Sequence, residues 1–90
     1  MLKPQVPMSK FVEFGFKKCK GSYGRAGCYY LCIAKGSKMM FVSDAVFDIQ
    51  PWTVDDPRIH KRPNCRYKDP RGEMEMLFDL ITGGYLGKEY

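Results

Sequence analysis

Ninety residues leave room for one domain, read as spanning 1–90, and for no second core. A composition 44% apolar and 14% aromatic excludes a disordered tail. No run approaches the ~18 apolar residues of a membrane span, and the opening MLKPQVPMSK lacks the apolar stretch of a secretory leader, so a cytoplasmic protein that does not enter the membrane is expected.

The net charge of +5 is unevenly distributed. Lys17, Lys18, Lys20 and Arg25 follow one another without an acid, and Arg58, Lys61, Arg62, Arg66, Lys68 and Arg71 are opposed only by Asp69. The remainder of the chain is net acidic.

In chain order, KFVEFGFKKC (10–19) reads as a strand with Phe14 and Phe16 on one face and a glycine marking a bulge or close approach. GSYGRAG (21–27) reads as a loop. A second strand is expected over about 28–34, followed by a Gly36-Ser37 hairpin turn. That turn sets Cys32 opposite Phe41, Ile33 opposite Met40 and Leu31 opposite Val42. Both faces of the hairpin are then apolar and both need cover. A helix would supply one cover, and a loop, the N-terminal segment or a second copy of the chain in a homodimer the other. Ala45, Phe47 and Ile49 alternate as a further short strand.

From about 50 to 69 no periodicity remains and prolines recur at 51, 57, 63 and 70. Irregular connections of this length are usually functional or disordered, and the charge on this one favours function. Asp69-Pro70 then reads as a helix start. Met74, Leu77, Phe78 and Ile81 form its expected core-facing stripe, and Gly83-Gly84 its end. The fold class expected is α+β, a small antiparallel sheet of three or four strands with one C-terminal helix packed on one face.

The two basic segments carry the functional reading. Phosphate binding needs clustered cations, and exposed aromatic rings offer bases a stacking surface. The expected RNA-binding set is Lys17, Lys18, Lys20, Tyr23, Arg25, Arg58, His60, Lys61, Arg62, Arg66, Tyr67 and Lys68. RNA is favoured over duplex DNA because no helix-turn-helix or other major-groove reader is evident. A non-catalytic regulator is expected, an inhibitor of a nuclease or ribonucleoprotein in the manner of small phage-encoded inhibitors. One alternative is a protein-only inhibitor or adaptor on an acidic partner surface, with Trp52 as an anchor. The other is a metal-independent ribonuclease using His60 with Tyr67, Glu73 or a lysine.

No cofactor or metal is expected. The spacing Cys19-x8-Cys28-x3-Cys32, with His60-x4-Cys65 downstream, lacks paired CxxC knuckles. Cys28 and Cys32 on one strand stand about 13 Å apart, too far to share an ion. Buried free thiols are expected instead, without a disulfide framework. Asp55-Asp56 before Pro57 reads as a turn initiator in preference to a magnesium site.

Overall fold

The computed structural model describes residues 2–33, 38–43, 46–53, 55–60 and 71–88. In chain order the elements are β1 (Leu2–Pro4), a 3-10 turn (Met8–Lys10), α1 (Phe11–Phe14), β2 (Lys17–Lys18), α2 (Ser22–Arg25), β3 (Tyr29–Ile33), β4 (Lys38–Ser43), β5 (Val46–Pro51), α3 (Glu73–Thr82) and β6 (Leu86–Lys88). Strands β2-β3-β4-β5 form a four-stranded antiparallel sheet in that order, and β1 pairs with β6 in a separate two-stranded sheet. The α+β architecture with a C-terminal helix is therefore the one the sequence pattern implies.

Strict alternation along β3 and β4 divides the interior in two. Leu31, Ile33, Met40 and Val42 point to one face, where Phe11, Phe16, Met76, Leu80 and Leu86 cover them. Tyr30, Cys32, Met39 and Phe41 point to the other, joined by Cys19, Cys28 and Ile59. The first cover comes from the N-terminal segment, α3 and β6 together. The second comes from the connection after β5, through Ile59.

Four local expectations are corrected. The hairpin register pairs Cys32 with Met39, Leu31 with Met40 and Tyr30 with Phe41, two residues from the predicted pairing. A slip of two keeps every side chain on its face, so burial alone does not distinguish the registers. The Gly36-Ser37 turn itself lies outside the described residues.

Residues 10–19 are not a continuous strand. Phe11 and Phe14 lie one helical turn apart in α1, and Gly15 closes that turn at φ 130°. Gly15 N–H donates to the Val12 carbonyl at 3.1 Å and Phe16 N–H to the Phe11 carbonyl at 3.1 Å. These two bonds form a Schellman closure, and its accompanying apolar contact is the Phe11–Phe16 ring pair at 5.2 Å. Only Lys17–Lys18 then join the sheet.

The GSYGRAG segment contains the single helical turn α2. Helix α3 is present, but Met76 and Leu80 face the core while Met74, Phe78 and Ile81 are exposed. Its buried stripe is rotated by about 100°, one helical position, from the predicted one. The sequence EMEMLFDLIT offers two overlapping apolar stripes. Ion pairs Lys38–Glu73 at 3.0 Å and Arg71–Asp79 at 2.5 Å anchor the helix in the observed orientation. The helix has Gly72 as N-cap, and the predicted Asp69-Pro70 start lies outside the described residues. After the helix, Tyr85 N–H donates to the Leu80 carbonyl at 2.9 Å. The tail then docks as β6, with Leu86 buried.

Candidate nucleic-acid interface

Strand β2 is an edge of the four-stranded sheet and carries Lys17 and Lys18 exposed. Lys17 lies opposite Tyr30 and Lys18 opposite Tyr29, so the two lysines project from opposite faces of that edge. The chain then turns through Lys20 and Gly21 into α2, where Tyr23 is 44% exposed and Arg25 is exposed. This turn is pinned against the sheet by a close backbone approach. A side-chain carbon at Gly24 would stand 2.1 Å from the Cys19 carbonyl oxygen, so only glycine fits there. Among the described residues no carboxylate forms an ion pair with Lys17, Lys18, Lys20 or Arg25.

The start of the second basic segment folds onto the same edge. Lys20 N–H donates to the Arg58 carbonyl at 2.8 Å. His60 Nδ1 and the buried Tyr30 hydroxyl are hydrogen-bonded at 2.9 Å. Burial first, then the charges of Lys17 and Lys20, pull the His60 imidazole below its ordinary value of 6.5. Above that ordinary value the ring is therefore largely uncharged, beside two lysines. Hydrogen-bonded to a core tyrosine, it helps tie the connection to the sheet.

Arg58 is held differently. Its Nε donates to Asp56 Oδ1 at 2.9 Å, and its Nη2 donates to Asp56 Oδ2 at 2.6 Å and to Gln50 Oε1 at 2.8 Å. The guanidinium also stacks over Phe41, 3.7 Å from the ring centroid. The Asp56 hydrogen bonds hold that carboxyl below its usual range and raise the Arg58 guanidinium. Asp56 accepts the Arg58 backbone N–H as well, at 2.9 Å, the geometry of a turn-forming aspartate. Arg58 therefore serves as a bracket over the second core, with its charge matched by Asp56.

Between α2 and strands β4 and β5 lies a groove of about 310 Å³. Tyr23, Phe41, Asp48, Gln50 and Arg58 line it, and the largely buried Cys28 contributes to its wall. Sequence reasoning did not find this groove, because its walls come from four separated segments. Of the predicted RNA-binding residues, Lys61, Arg62, Arg66, Tyr67 and Lys68 lie outside the described residues, as does Cys65. The structure brings Lys17, Lys18, Lys20, Tyr23, Arg25, Arg58 and His60 to one edge of the sheet, with Lys17 and Lys18 on its opposite faces.

For a ribonuclease, His60 and Glu73 were the named proton carriers within the described residues. Glu73 is paired with Lys38 at 3.0 Å, and His60 is bonded to Tyr30. No group of three or more His, Cys, Asp or Glu side chains among the described residues could hold a metal ion.

The cysteine expectation is corrected in part. Cys19 and Cys28 are buried free thiols, whereas Cys32 is disulfide-bonded. The spacing between Cys28 and Cys32 along one strand carries no information on that bond. No described helix is long and apolar enough to cross a membrane. Comparison with protein-family models, curated proteins and solved structures finds no match for this chain.

Proposed function

We propose that the chain is a small, non-catalytic RNA-binding regulatory protein that acts on a nuclease or ribonucleoprotein as an inhibitor. The observation that supports RNA binding is the cluster of Lys17, Lys18, Lys20 and Arg25 around exposed Tyr23, none of them in an ion pair with a described carboxylate. Cations free of local partners are available to phosphates, and a half-exposed ring among them offers a stacking surface. Single-stranded RNA suits this arrangement better than duplex DNA, since the cluster sits on a short edge strand and the single helical turn α2, too short to lie along a major groove.

The test is a titration of labelled single-stranded RNA, and of duplex DNA of equal length, at rising salt. The triple variant Lys17→Glu, Lys18→Glu, Lys20→Glu should lose RNA retention while keeping the wild-type circular dichroism spectrum. Absence of RNA binding by the wild type at low salt would sink the proposal.

A second reading, a protein partner, is favoured by a separate observation. Met74 and Phe78 on α3 are 73% and 66% exposed, and Ile81 lies on the same side one turn further. Such a stripe is the usual mark of a contact surface. The two readings are compatible in a regulator that holds RNA at one edge and a protein on its helix.

A further inference from the structure

Cys19 and Cys28 close the base of the α2 loop. Continuing the β2–β3 register places them directly opposite one another, and Cys19 N–H donates to the Cys28 carbonyl at 2.9 Å. Directly opposed residues of an antiparallel pair have Cα atoms about 4.5–5.5 Å apart, inside the range a disulfide spans. The Cys19 thiol donates to Cys28 Sγ at 3.0 Å, so the sulfurs need approach by only about 1 Å to bond. Both are free. Cys28, buried at 7% exposure, is also the one of the two that contributes to the groove wall, which makes the groove the side from which a reagent would approach.

We propose that Cys19 and Cys28 are a dithiol site that is oxidised to an intramolecular disulfide by a small-molecule disulfide of the glutathione type, entering through the groove at Cys28. The steps balance as two thiol–disulfide exchanges. The deprotonated Cys28 sulfur attacks one sulfur of the oxidant, its S–S bond breaks, and one thiolate leaves and takes up the proton that Cys28 lost. The deprotonated Cys19 sulfur then attacks Cys28 in the mixed disulfide. The second thiolate leaves with the Cys19 proton. Two electrons pass to the oxidant, which is reduced to two thiols.

The order follows from the environment. Cys28 and not Cys19 borders the groove, so Cys28 meets the oxidant first and Cys19 resolves. Burial, then the hydrogen bond to Cys28, push the Cys19 thiol well above its ordinary value. The Arg58 guanidinium acts in the opposite sense, lowering Cys19 and favouring the thiolate needed at the second step. The product ring encloses residues 20–27, the segment that carries Lys20, Tyr23 and Arg25, and locks it to the sheet. The proposal stands whether or not that segment binds RNA.

The experiment incubates the folded chain with increasing oxidised glutathione, quenches in acid, alkylates remaining thiols after denaturation and maps the peptides by mass spectrometry. Cys19 and Cys28 should lose alkylation together and appear as one crosslinked peptide pair. Cys19→Ser should instead accumulate glutathione on Cys28. A wild-type map in which both cysteines stay alkylated, or in which Cys28 carries stable glutathione without the crosslink, overturns the proposal. That map decides the matter even if the serine variant fails to fold.

Discussion

Gly24 has a single requirement, that nothing stand between α2 and the Cys19 carbonyl. Alanine at 24 would place a methyl group 2.1 Å from that oxygen, a backbone atom with no rotamer to relieve it. The turn carrying Tyr23 and Arg25 must then lift from the sheet. Gly24→Ala should destabilise the fold by about 1–3 kcal/mol, as overpacked sites do, and the check is the urea midpoint. At His60 the relevant variable is protonation. Its imidazole is held below 6.5 in the folded chain, so near that pH the unfolded chain binds the proton more readily. Stability is therefore fully present above about pH 6.5 and is lost as pH falls through the folded value. His60→Asn, which keeps a polar atom near Nδ1 for Tyr30 but cannot charge, should flatten that decline in denaturation curves between pH 7.5 and 5. Asp56, lowered by Arg58, acts in the same direction but only in the acidic range below its ordinary value of 3.8, so the two effects separate.

Among the elements, α3 shows what periodicity determines and what it leaves open. The existence of the helix follows from its apolar content and the two glycines after it. Its rotation does not, because Met74, Phe78 and Ile81 on one side are as apolar as Met76, Leu77 and Leu80 on the other. The choice is made by residues outside the helix, including Lys38, Arg71 and Leu86. Leu80 is fully buried and Phe78 largely exposed. Leu80→Ala should cost about 2–5 kcal/mol, and Phe78→Ala should leave the unfolding midpoint nearly unchanged. A large loss at Phe78 with little change at Leu80 would show that the helix packs on the other stripe. The β3–β4 hairpin repeats the lesson: alternation assigns each side chain to a face, yet a shift of two preserves every assignment. Missing α1 had a different cause. Phe14 and Phe16 mimic strand alternation, while the telling signals are the Phe11–Phe14 spacing and the glycine that closes the turn.

For the whole molecule, the segregation of charge was legible from the chain, but its arrangement in space was not. Arg58 and Lys20 are 38 positions apart and meet through one backbone hydrogen bond, a contact no local pattern encodes. That meeting also divides the expected site by role, with Lys17, Lys18, Lys20 and Arg25 facing outward and Arg58 turned onto Phe41. If all four outward cations neutralise phosphates of single-stranded RNA, log affinity against log salt should fall with a slope of roughly −3. Lysines on an edge strand also deter pairing with another sheet, so the charge-reversed triple variant keeps that protection while losing its attraction for phosphate.

The pairing of β1 with β6 has a mechanical consequence. Leu2 lies opposite Lys88 and Pro4 opposite Leu86, so the outer ends of the two strands sit side by side. Tension applied through the two ends of the chain loads this ladder one hydrogen bond at a time, as a zipper is opened, and does not shear it as a block. The small sheet would part first under force, drawing Leu86 from the core under α3 while the four-stranded sheet still holds its shape.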